Sequence, residues 1–149
     1  MMLDISEYIQ TGFLNGLKVG ANKMMVEDVL GEIKEDEKMY FDSSDTTAGY
    51  SVYRDGVEYM FIDYKLYGIN IDMIDGHFCL GSQFQLSTHT PLAVLIAYLT
   101  FQKIDWSFYS KDTYDKILAI QLDSGVKFTY QYNEENELVL TAFYSYARI

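Results

Sequence analysis

Apolar positions recur at helical spacing in two short stretches near the start of the chain and in one longer central stretch. Over residues 5–14, Ile5, Tyr8, Ile9 and Phe13 share one helical face, with Asp4 placed as a cap and Gly12 and Gly16 marking the end. Residues 17–19 read as a short extended piece. A second helix is expected after Asn22, which can cap it; Met25, Val26, Val29 and Leu30 form its stripe and Gly31 stops it. The third runs over residues 91–103, with Thr90 as cap, Pro91 in the first position and Leu92, Leu95, Ile96 and Leu99 as the buried face. Ala93, Val94, Ala97 and Tyr98 leave it little polar surface, so it is expected to lie sandwiched in the core.

Elsewhere the period shortens to two. Residues 50–53 and 57–63 flank Asp55-Gly56, a strong hairpin signal. Residues 66–73 alternate, with Gly68 as a bend or bulge; Asp75-Gly76 turns the chain into a short strand over 77–80. Residues 117–122, 126–132 and 138–146 form a closing meander, turning at 123–125 and 133–137. The fold class expected is α+β: an antiparallel sheet packed with helices in a single domain spanning 1–149. Helix-then-hairpin order occurs twice, suggesting related halves at 17–86 and 87–149. One curved sheet wrapped around residues 91–103 is the alternative architecture.

Charge narrows the partner class. The chain has 149 residues, 22 Asp or Glu against 11 Lys or Arg, and a formal net charge of −11. Such a surface repels nucleic acid, whose binding relies on Lys and Arg displacing counterions, and it disfavours an anionic membrane face. It suits a cationic protein surface, although acidity serves solubility equally well. No apolar run approaches the ~18 residues of a membrane span, and the first residues lack the basic start and apolar core of a signal peptide. Cytoplasmic residence is the expectation.

Catalytic side chains are scarce. Two His and one Cys are present; His77 and His89 have no metal-ligand spacing, and Cys79 between Phe78 and Leu80 reads as a packed thiol. Neither a nucleophile elbow nor a phosphate-cradling glycine loop occurs. The expectation is a protein without enzymatic activity, cofactor or metal. A small hydrolase using His77 or His89 is the weaker alternative.

Binding chemistry is better represented. Residues 32–45 are read as an exposed loop carrying Glu32, Glu35, Asp36, Glu37, Asp42 and Asp45, which can steer a basic partner and accept hydrogen bonds from Lys or Arg. The chain also has 14 Tyr, rigid amphipathic rings suited to contact surfaces. If Val52, Met60 and Ile62 point inward, alternation turns Tyr53, Tyr59 and Phe61 outward, making Tyr53 and Tyr59 candidate contact residues.

Gly20-Ala21-Asn22, Val26 and Leu30-Gly31 resemble the helix-opening pattern of outer-membrane assembly lipoproteins of the SmpA/OmlA type and of the β-lactamase-inhibitor-like fold. Ile33 stands where that pattern usually carries Pro, and the lipid-bearing Cys is missing. The similarity therefore implies a helix packed on a sheet, and at most a protein-assembly module. In acidity, length and element order the whole chain resembles small immunity proteins of bacterial polymorphic-toxin and contact-dependent growth inhibition systems. That resemblance implies binding and neutralisation of a cognate protein toxin. Oligomeric state is left open by the sequence.

Overall fold

The computed structural model describes residues 2–82 and 84–147; positions 1, 83, 148 and 149 lie outside the described residues. In chain order the helices and strands are β1 (Leu3–Asp4), α1 (Ser6–Thr11), α2 (Lys23–Leu30), β2 (Met39–Tyr40), β3 (Tyr50–Arg54), β4 (Val57–Ile62) and β5 (Lys65–Asp72). There follow β6 (Phe78–Cys79), β7 (Gln85–Leu86), α3 (Leu92–Phe101), β8 (Trp106–Phe108), β9 (Ile117–Leu122), β10 (Lys127–Tyr132) and β11 (Leu138–Tyr146). The fold is α+β and dominated by strands.

Eight strands form one antiparallel sheet in the order β2-β3-β4-β5-β11-β10-β9-β8. Two four-stranded meanders thus meet where β5 pairs with β11. The strands β1, β6 and β7 make a separate small sheet, in which β1 runs parallel to β6. The short strands β1, β2, β7 and β8 carry no separate periodic signal, because two or three residues are too few to alternate.

Turn chemistry builds the first meander. Asp55 and Gly56 adopt positive φ, 53° and 81°, as a two-residue hairpin loop of the type I′ kind requires. Asp63 and Tyr64 do the same between β4 and β5 without a glycine, at 53° and 62°. The start of α2 holds that unfavourable turn in place: the Lys23 amide donates to the Tyr64 carbonyl at 2.9 Å. Gly49 is required sterically, since a Cβ on it would lie 2.4 Å from the Phe61 carbonyl oxygen and its φ is 114°.

All three helices contribute to the same buried cluster as the sheet. Across β4, β5, β11, β10 and β9, the opposed residues Val57, Ile71, Phe143, Phe128 and Ile120 form one apolar row, and each is buried. From α1, the Tyr8 hydroxyl shares a 2.8 Å hydrogen bond with Ser145 Oγ. Beside α3, the Tyr130 hydroxyl donates to the Thr90 carbonyl at 2.7 Å. Both of these phenols therefore have a partner, which removes the cost of burying an unpaired polar group.

The helices depart from expectation in their exposure. Helix α1 ends at Gly12, so Phe13 leaves the buried face and is 40% exposed. Asn22 caps α2 by accepting from the Met25 amide at 2.9 Å, and Gly31 ends it. Of its expected stripe only Val26 is fully buried; Leu30 is partly so, and Met25 and Val29 are exposed. Helix α3 begins one residue later than expected. Pro91 occupies the cap position, and Thr90 Oγ1 accepts from the Ser87 amide instead of capping the helix. Nor is α3 sandwiched: Leu95 and Leu99 are buried, while Ala93, Val94, Ala97 and Phe101 face outward. A single layer of helices on one side of a sheet leaves each helix a solvent face, whatever its composition.

Leu95→Ala should therefore cost about 2–5 kcal/mol in urea denaturation, the range for truncating a buried leucine. A loss near that of a surface site, about 0.5 kcal/mol, would reject the packing. Burial pushes the Tyr59 phenol up from 10.0 to about 12, and pushes Tyr8 and Tyr130 up as well. These groups ionise in the unfolded chain before they do in the folded one. Their stabilisation is complete below pH 10 and lost as pH rises towards 12. Spectrophotometric titration should show a late tyrosine fraction that ionises together with unfolding.

Candidate functional site: the sheet face away from the helices

The register that buries the apolar row sends its neighbours to the other face. One residue along each strand, Tyr53, Glu58, Asn70, Tyr144, Lys127 and Gln121 stand opposite one another across β3, β4, β5, β11, β10 and β9. Ser107 continues the row on β8. Every member is polar or a tyrosine. The next row, Ser51, Met60, Gly68 and Tyr146, widens this face over the first meander.

Side-chain contacts organise the surface. Glu58 accepts from Ser51 Oγ at 2.6 Å and from Asn70 Nδ2 at 3.5 Å. The Tyr146 ring lies 5.6 Å from that of Tyr144 and 5.7 Å from that of Tyr67. It lies directly over Gly68, where an added Cβ would come within 2.6 Å of the ring. A short 3-10 turn at Ser110–Asp112 folds over the far end. There the Tyr144 hydroxyl donates to Asp112 Oδ2 at 2.5 Å, and Lys127 Nζ stands 4.8 Å from the centre of the Tyr109 ring. Tyr109, Asp112, Lys127 and Tyr146 border a groove of about 640 Å³.

The tyrosines hold their protons. Burial first, then the Asp112 carboxylate, raises Tyr144 far above the ordinary phenol value. Burial and Glu58 raise Tyr53 and Tyr146. At neutral pH the face therefore offers phenol hydroxyls beside carboxylates. Such a set can donate and accept hydrogen bonds, stack, and hold a Lys or Arg side chain against an aromatic ring.

The expected contact residues divide. Tyr53 lies on this face and is 52% exposed. Tyr59 does not: at 2% exposure it packs in the core opposite Val52 and Ile69. The assumed alternation on β4 was inverted, since Val57, Tyr59 and Phe61 point inward while Glu58, Met60 and Ile62 are less buried. The decisive information lies in the pairing partners, because tyrosine fits either face of a strand.

The acidic segment is more ordered than a loop. It contains a 3-10 turn at Glu35–Glu37, the edge strand β2 and a buried Ile33. Glu35 accepts from the Tyr40 hydroxyl and pairs with Lys38 at 3.2 Å. Glu37 accepts from the Lys34 amide at 3.1 Å and pairs with Arg54 at 2.8 Å; Arg54 in turn donates to the Leu30 carbonyl at 2.7 Å. Asp42 and Asp45 bind the amides and hydroxyls of Ser44 and Thr47. These partners hold the four carboxyls below their ordinary values: Tyr40 chiefly for Glu35, the Lys34 amide for Glu37, Ser44 for Asp42 and Thr47 for Asp45. Glu32 and Asp36 are exposed and carry no side-chain hydrogen bond or ion pair among those described.

The groups considered for catalysis are dispersed. His77 and His89 are exposed, on segments before β6 and before α3. Cys79 is buried, and burial together with Asp4 raises its thiol, which favours the unreactive protonated form. Among the described residues no group of three or more His, Cys, Asp or Glu is placed to hold a metal ion. Among the same residues no helix is long and apolar enough to cross a membrane. Comparison with known protein families, curated proteins and solved structures yields no match to this chain.

Gly68→Ala tests the packing of this face. The backbone there accepts a Cβ, but the Tyr146 ring and the Met60 methyl must move. The fold should persist with a loss of about 1 kcal/mol, the low end for overpacking. Nuclear Overhauser contacts between Tyr146 and Tyr67 should weaken; unchanged ring contacts would contradict the placement.

Proposed function

We propose that this protein is an immunity protein. It binds a cognate, cationic bacterial toxin domain and neutralises it by forming a stoichiometric complex, with the sheet face away from the helices as the contact surface. The observation that carries the reading is the polar and tyrosine row from Tyr53 to Gln121 on the face away from α1, α2 and α3. Interfaces draw their energy from a few well-placed aromatic residues, and charge sets the encounter rate and register. Tyr53 and Tyr146 supply exposed rings. Glu32, Asp36 and the net charge of −11 supply attraction for a basic partner.

Glu35, Glu37, Asp42 and Asp45 have a second role in this reading: they fix the shape of the segment beside the β2 edge. Met39 pairs with Ser51 there, next to Tyr53. The protein acts without catalysis, cofactor or metal, in the cytoplasm where the toxin would otherwise act. The halves 17–86 and 87–149 are proposed to be related. In support, each contains a helix followed by a four-stranded meander, and the two meanders meet at their last strands.

The reading predicts a toxin domain encoded by a neighbouring gene, and the test uses that domain. Surface-based binding should give a one-to-one complex, and Tyr53→Ala and Tyr146→Ala should each weaken it at least about tenfold, as expected for aromatic contact residues. Glu32→Lys with Asp36→Lys should slow association and flatten its salt dependence while changing dissociation less, since these charges act within a Debye length of about 8 Å. Replacing His77 and His89 with Gln should leave affinity intact. A complex indifferent to both tyrosines would remove this face from the interface. Binding without protection of cells against the toxin would favour an assembly module over an immunity protein.

A further inference from the structure

Between Asp75 and Lys103 the sequence contains no Asp, Glu, Lys or Arg, in a molecule of net charge −11. That stretch includes β6, β7 and α3. Leu95 and Leu99 fix the inward side of α3, so Ala93, Val94, Ala97 and Phe101 form its outward side. Val94 is 42% and Phe101 85% exposed. A solvent-facing helix normally carries charge on that side; this one carries none, and the exposed Thr100 returns its hydroxyl to the Ile96 carbonyl at 3.0 Å.

We propose that this side of α3 packs against the same side of a second copy, giving a two-fold homodimer. Charge selects the occupant. Two molecules of −11 repel each other over most of their surfaces, with screening over about 8 Å at physiological salt. They meet at least electrostatic cost where neither carries charge, and the outward side of α3 is such a place. A cationic partner, by contrast, gains no electrostatic attraction there. The face also suits self-association, which requires one patch to complement itself. Ala93 and Ala97, one turn apart, let two helix axes approach, and Val94 and Phe101 of one copy can fill the space over the alanines of the other. Since α3 packs on the helical side of the sheet, dimerisation leaves the tyrosine face of each copy open. The pairing stands whether or not that face binds a toxin.

Sedimentation equilibrium of the intact protein across micromolar concentrations tests this directly. The expected mass is twice 17.3 kDa, with association strengthened by added salt because repulsion is screened. Val94→Glu with Phe101→Glu leaves Leu95 and Leu99 in place and should weaken dimerisation at least about tenfold, by bringing four carboxylates together. In an otherwise native chain, Ala97→Cys should form an intermolecular disulfide under mild oxidation, while Thr46→Cys, on the exposed turn beside β2, should not. A monomer at every concentration and salt level would overturn the proposal. So would a dimer that survives the double substitution and fails to cross-link through Ala97→Cys. Flotation of the monomer with neutral phosphatidylcholine vesicles, lost in the double variant, would assign the face to lipid and overturn it as well.

Discussion

The antiparallel pairing of β5 with β11 is the constraint on which the rest of the molecule depends. It joins two meanders that would otherwise each end in an open edge, and it sets their relative register. Ile71 stands opposite Phe143 and Asn70 opposite Tyr144. Because side chains alternate with a period of two, that single alignment places an apolar row on the helical side and a polar and tyrosine row on the other. Slipping it by one residue would bury Asn70 and expose Ile71. The irregularities at Met60/Phe61 and Thr129/Tyr130 lie one strand away on either side. There β5 and β11 each carry one extra residue, Tyr67 and Thr141, which lets Leu66 and Leu140 join the buried face.

The two faces are built from similar side chains used in opposite ways. Tyr8, Tyr59 and Tyr130 are buried phenols that join the core, and Tyr8 and Tyr130 each have a single hydrogen-bond partner within it. Tyr53 and Tyr146 keep half of their surface in water and lie near carboxylates. Burial decides between these roles, and the whole sheet decides burial. Charge divides in a related way. The carboxylates of the segment beside β2 are largely engaged by neighbouring amides, hydroxyls and cations, which turns apparent surface charge into local structure. The unpaired Glu32 and Asp36 remain available at its surface, and the uncharged side of α3 lies on the helical side of the sheet.

Much of this organisation was legible in the chain, because it rests on local rules. The Asn22 cap, the Gly31 stop, the Asp55-Gly56 hairpin and the closing meander follow from side-chain hydrogen bonding, the freedom of glycine and strand periodicity. The Asp63-Tyr64 turn gave no such signal. Tyr64 does not favour positive φ, and the hydrogen bond from the Lys23 amide at the start of α2 supports it there.

What the sequence by itself determined was the α+β class, the position of most long elements, the acidity and the tyrosine richness. Tertiary structure decided which tyrosines face water, which carboxylates are engaged, and that α3 lies against one sheet face with its other side exposed. The reason is physical. Caps, turns and periodicity act within a few residues, whereas burial depends on partners far along the chain: Ser145 for Tyr8, Arg54 for Glu37, Ile69 for Tyr59. A tyrosine or an apolar helix satisfies local rules in either environment, so only the assembled sheet selects one.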